Sequence, residues 1–230
     1  MPTFTEIMSD LEAAGNEQTR KTYSRHGAVP PLFGVNYATF KALSKKIKVD
    51  HALAVQLWES RNHDARLLSM MIADPKQADS ALLDIWVADS QSYSINDGVT
   101  GYVSRSAYAR DKAEVWSQSP DEWPSTAGWG LVGHLAWNDK TLPDSYFEPY
   151  LTQIESGIHQ RPNRTRYAMN NALINIGCRN AALHERVKHI AAAIGAVIVD
   201  HGQTDCETPI IVPYIEKVLA RKGYVIARPE

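Results

Sequence analysis

The stretch from Asp50 to Pro75, DHALAVQLWESRNHDARLLSMMIADP, decides the fold. Asp50 can accept a hydrogen bond from the unpaired amides of a first helical turn. Leu53, Ala54, Leu57 and Trp58 then return at three- and four-residue intervals, on one stripe. A second stripe, Ala65, Leu68, Ser69 and Ile72, follows a short polar break and stops at Asp74-Pro75, because the residue before a proline is pushed out of helical dihedrals. Two short amphipathic helices with a brief connector are the unit this stretch defines.

The same period continues on both sides. It predicts helices over Phe4 to Ala14, Gln18 to His26, Tyr37 to Ile47, Ser80 to Ala88, Ile95 to Ser104 and Lys112 to Ser117. Further on it predicts Pro124 to Trp137, Tyr146 to Ile158, Thr165 to Ile176, Ala181 to Ile198 and Pro209 to Arg221. No alternating run or Asn-Gly hairpin competes, so the fold class is all-α. Connectors are short throughout, which suits an array in which each helix pair buries its face on the next, as one continuous domain over residues 1–230. Leu57-Trp58, Ile85-Trp86 and Val115-Trp116 echo one another about 30 residues apart. An irregular helical globule with tryptophans filling its core satisfies the pattern as well.

Composition excludes several classes. The 230 residues are 44% hydrophobic, enough for a core without covalent staples. With 24 basic against 26 acidic residues, the surface as a whole does not attract nucleic acid, although a local basic face can. Cys178 and Cys206 are the only cysteines, too few for a disulfide framework or a four-cysteine zinc site, and they fit a reducing cytoplasm. The longest apolar run, Ile190 to Val199, is too short to span a bilayer, and the first residues lack the charged and apolar regions of a secretory signal.

An ordered set of short motifs carries a family resemblance. Phe33-Gly34-Val35, Phe40 to Ile47, Leu57 to Ser60, His63 to Leu68 and Ile72 to Pro75 are followed by Trp86-Val87, Ser92 to Asp97, Ala127 to Leu131 and Asn170 to Asn180. Together they resemble the bacterial DNA alkylation repair family, the HEAT-like-repeat alkylpurine DNA glycosylases, from about residue 30 to 220. Asp200 to Pro209, leading into Tyr214 to Lys217, resembles the C-terminus of one branch. The resemblance implies an α-solenoid of HEAT-like antiparallel helix pairs, an ARM/HEAT-type superhelix, with a concave groove facing duplex DNA. It also implies a monomer without cofactor or metal, located in the bacterial cytoplasm and associated with the nucleoid when bound.

Active members of that family excise cationic purines such as 3-methyladenine and 7-methylguanine. These are good leaving groups, so no acid need protonate the base. What remains is stabilisation of the positive charge that grows on the deoxyribose as the N-glycosidic bond opens, a task for a nearby carboxylate and electron-rich ring faces. By resemblance the carboxylate is Asp97, and Tyr93 stands where the family has its first tryptophan. Four residues apart, the two share a helical face. The arginine expected before Ala127 aligns with Thr126, and the second tryptophan, expected before Ala172, aligns with Asn171. The chemistry at these two groove positions is therefore altered. Three readings stay open: base excision, binding of DNA structure without excision, and a helical-repeat scaffold for protein partners.

For DNA contact, Lys41, Lys45 and Lys46 share a helix face, Arg161, Arg164 and Arg166 precede another helix, and Arg179 lies beyond it. A solvated face balanced by nearby acids is the competing reading. His63, Asp64 and Arg66 have the spacing of an interhelix polar network. Asp200, His201, Asp205 and Cys206 lack zinc spacing and fit a capped turn before the last helix.

Overall fold

The computed structural model describes residues 2–221. Thirteen α-helices account for the regular structure, with three single turns of 3₁₀ helix and no strand among the described residues. They are α1 (Phe4–Ala14), α2 (Glu17–Arg25), α3 (Tyr37–Ile47), α4 (His51–Glu59), α5 (His63–Ile72), α6 (Ser80–Ala88) and α7 (Tyr93–Val103). The rest are α8 (Ala109–Trp116), α9 (Glu122–Asn138), α10 (Glu148–Gly157), α11 (Asn163–Gly177), α12 (Ala181–Ile194) and α13 (Ile211–Arg221). The described residues pack as two compact units, one of residues 2–109 with 201–205, the other of 110–200 with 206–221.

Local chemistry sets the helix starts. Thr3 and Glu6 form a reciprocal capping box on α1. Asn16, Asn36, Asp50, Asn62, Asp79, Ser92 and Asn180 each accept an amide hydrogen bond from the first turn of α2, α3, α4, α5, α6, α7 and α12. One boundary differs from the sequence reading: α12 stops at Ile194 rather than Ile198. Gly195 takes a left-handed backbone (φ 68°) and donates its amide to the Ala191 carbonyl, a conformation that favours glycine and ends the helix. The helix predicted from Ile95 begins two residues earlier, which makes Tyr93 its first residue.

In the first unit, α5 packs on α3, α4 and α7. Trp58 and Trp86 stack with ring centroids 4.8 Å apart, and Trp86 meets Tyr102 at 5.6 Å. The tryptophan echo is a core signal: Trp58, Trp86 and Trp116 are buried, while the preceding Ile85 and Val115 face solvent. The Arg66 guanidinium lies 4.5 Å over Trp58, donates to the Trp58 carbonyl, and pairs with Asp89. Asp64 is fully buried and accepts the amides of Phe33, Gly34 and Val35 at 2.6, 3.2 and 2.7 Å. His63, Asp64 and Arg66 therefore belong to polar networks inside the fold.

In the second unit α11 is central, packing on α9, α12 and α13. Gly128 lets α9 lie directly on the end of α8: a Cβ there would sit 2.2 Å from the Ser117 amide nitrogen. No helix among the described residues is long and apolar enough to cross a membrane.

Candidate nucleic-acid interface

Ser92 caps α7, and Tyr93 and Asp97 occupy its first and second turns. Asp97 is exposed and Tyr93 half-buried, four residues apart on the same helix. The Tyr93 hydroxyl is hydrogen-bonded to Nδ1 of His26, the residue that ends α2, and the two rings meet edge to face at 5.8 Å. Beside them, Ser94 Oγ lies 3.4 Å from His63 Nε2, and the His63 ring packs 5.4 Å from Tyr23. Tyr23 donates to the Val35 carbonyl at 2.5 Å. Burial lowers the pKa of the His63 imidazole below its ordinary value, against the pull of Asp64. Burial, with the charge of Asp64 adding, pushes the Tyr23 phenol up to about 12. Two histidines and two tyrosines thus gather around the start of α7 within the first unit. His26 was not singled out by the sequence, because its partner Tyr93 is 67 residues away and no local spacing connects them.

Lys41, Lys45 and Lys46 are all exposed on α3, with no ion-pair partner among the described residues. A stripe of this kind can meet phosphates, while the Lys46 charge also reaches Glu6 of α1, whose pKa is lowered mainly by its hydrogen bonds with Thr3.

The predicted arginines of the second unit have specific local partners. Arg161 donates to the Ser117 carbonyl at 2.7 Å, the Arg164 guanidinium lies 4.8 Å over Tyr167, and Arg166 donates to Asn163 Oδ1 at 3.3 Å. All three side chains remain partly exposed at the start of α11. Pro162 in the N-cap position has no side-chain acceptor, and Glu122 of α9 replaces it, accepting the Arg164 amide at 2.6 Å. Glu122→Ala is expected to lower the unfolding free energy by about 1 kcal/mol, the size of a lost helix cap, in urea denaturation. Glu122→Gln, which keeps an acceptor oxygen, should lose less.

Three further sequence candidates have particular surroundings in the second unit. Arg179 is not available to phosphate: its side chain is 6% exposed and donates to the carbonyls of Ala136 at 3.0 Å, Asp139 at 2.7 Å and Leu142. It also pairs with Asp144 at 3.5 Å and lies 5.0 Å over Phe147, tying the end of α9 to the chain that leads into α10. Thr126 is only 7% exposed. It is buried between α9 and α11, with its hydroxyl 3.3 Å from that of Thr165. Asn171 is half-buried on α11 beside the fully buried Asn170, which donates to the Pro209 carbonyl at 3.0 Å. Among the described residues, no group of three or more His, Cys, Asp or Glu side chains is gathered to hold a metal, and Asp200, His201, Asp205 and Cys206 form no such cluster. Asp200 instead exchanges two hydrogen bonds with Asn163, at 2.8 and 2.7 Å.

Comparison with known proteins places this geometry. The chain is 30% identical over 227 residues to an uncharacterized protein of Listeria innocua, covering 96% of this chain and 99% of that one. The same identity and coverage hold for an uncharacterized protein of Listeria monocytogenes. A solved structure superposes with a TM-score of 0.88 at 34% identity over 97% of both chains. It represents a family described as related to the HEAT-like repeat DNA glycosylases, with affinity for branched DNA structures. The fold is accordingly of the HEAT-like repeat class. The family profile described as "DNA alkylation repair enzyme" matches residues 7–204, most of the molecule, and the chain belongs to that family.

Proposed function

We propose that this protein binds DNA whose duplex is branched or locally distorted. The observation that carries the reading is the whole-chain likeness to the relative with affinity for branched DNA structures. It is supported by the exposed lysine face of α3 and the partly exposed arginines at the start of α11. Buried Thr126, half-buried Asn171 and the structural Arg179 favour binding over excision, because the positions expected to stack a base and anchor its phosphate have other chemistry or other duties.

Binding through lysine–phosphate contacts releases counterions, so log affinity should fall linearly with log salt, by roughly 0.9 per phosphate neutralised. Titration of a labelled four-way junction and a matched linear duplex at several salt concentrations tests this. The junction is expected to bind more tightly, and replacing Lys41, Lys45 and Lys46 together by glutamine should flatten the slope by about one unit per lysine in contact. No junction binding at low salt would overturn the proposal.

A second reading has one observation in its favour: Asp97 is exposed one turn beyond Tyr93, where a carboxylate can face a deoxyribose. Incubation with DNA carrying 7-methylguanine tests it. Base release abolished by Asp97→Asn supports excision, and no release by the unmodified protein disposes of it.

A further inference from the structure

We propose that Tyr37 is a stacking platform for an unpaired base at the branch point of the DNA, with Lys41 and Lys45 holding phosphates of the same strand. The inference rests on the reading of this chain as a binder of branched DNA, and it adds the nucleotide that the surface takes. Tyr37 is the first residue of α3 and is 58% exposed. Its ring meets that of Phe40 edge to face, with centroids 5.9 Å apart and planes at 90°. Phe40 is fully buried, so the support beneath Tyr37 is fixed. A single perpendicular neighbour covers at most one face of a ring, and the exposure of Tyr37 leaves ring surface for a flat partner.

The charge beside the ring selects the partner. Lys41 and Lys45 follow Tyr37 at steps of four residues, so the three lie along one face of α3, each about 6 Å further along its axis. Both lysines are exposed, while Phe40, Leu43 and Ile47 occupy the buried face. A ring in line with two cations matches a nucleic-acid strand, in which flat bases are tied to phosphates. An apolar peptide or a lipid tail would leave the ammonium groups unanswered. Within a continuous duplex the bases cover one another's faces, whereas an unpaired base at a branch point presents one. Tyr37 also lies close enough to Tyr23 that its phenol adds, after burial and Asp64, to the upward shift of the Tyr23 pKa. Tyr23 belongs to the group gathered around the start of α7, so the exposed ring of α3 adjoins that group.

Two four-way junctions test this. They are alike except that one carries a single unpaired deoxyadenosine at the branch point and the other an abasic nucleotide there, which keeps the phosphate and removes the base. The unmodified protein is expected to bind the first about tenfold more tightly, the size of one base–aromatic stack. Tyr37→Ala should bind both junctions equally, at the affinity of the unmodified protein for the abasic one, and Tyr37→Phe should keep the preference. Lys41→Gln should lower the salt dependence and leave the preference intact. Equal binding of the two junctions by the unmodified protein, or a preference that Tyr37→Ala retains, overturns the inference while junction binding itself stands. Absence of binding to either junction overturns the underlying reading and this inference together.

Discussion

Asp64→Ala is expected to lower the unfolding free energy by roughly 3–5 kcal/mol, because one buried carboxylate accepts three successive backbone amides. Those amides belong to Phe33, Gly34 and Val35, and the Gly34 and Val35 bonds are buried, away from water that could replace the lost acceptor. The segment has little room to rearrange. Gly34 holds a positive φ of 80°, and a Cβ there would lie 2.5 Å from the Asn16 carbonyl oxygen and 2.6 Å from the Arg20 nitrogen. Tyr23 also fastens to the Val35 carbonyl, so loosening residues 33–35 removes a support of the Tyr23–His63 contact beside α7. Urea denaturation of the variant checks the magnitude, and a loss under about 1 kcal/mol would show that the amides find other partners. Asp64→Asn keeps one acceptor oxygen and should fall between the two.

Gly128→Ala is expected to cost about 3 kcal/mol, the upper end of the usual overpacking penalty, although alanine is the better helix former. The atoms a methyl group would meet are backbone: the Ser117 nitrogen at 2.2 Å, the Trp116 carbonyl carbon at 2.5 Å and the Ser117 Cα at 2.7 Å. No side-chain rotation relieves such a contact, so α8 and α9 must part. Gly101, inside α7, is the internal comparison, because a Cβ there meets nothing within 4 Å. Gly101→Ala should leave stability unchanged or raise it by up to about 1 kcal/mol. Thermal unfolding of the two variants side by side reads the difference. Equal midpoints would refute the close approach of α8 and α9.

The helices were legible because their determinants are local. Asp50, Asn36 and Asn180 announce starts within three residues, and the apolar stripe of α4 falls on Leu53, Ala54, Leu57 and Trp58, all buried. The site was legible only in part. Tyr93 and Asp97 are four apart on one helix and could be paired on paper, whereas His26 approaches Tyr93 only through tertiary packing. Thr126 illustrates a different difficulty. Five consecutive residues of α9, Ser125 to Trp129, are buried, so the helix has no polar face from which a groove-facing position can be read. Arg179 shows that a positive charge in sequence does not reveal whether its donors point to solvent or to carbonyl groups one helix away.

The arginine at 179 also bears on how relatives of this chain should be compared. Its planar head reaches three main-chain oxygens at once, which a lysine's single ammonium on a flexible stem does not reproduce. An alignment that scores arginine and lysine as interchangeable at this column would count as a preserved nucleic-acid contact what is instead a clasp on the polypeptide, and a lysine there should be read as a sign that the turn after α9 has been rebuilt.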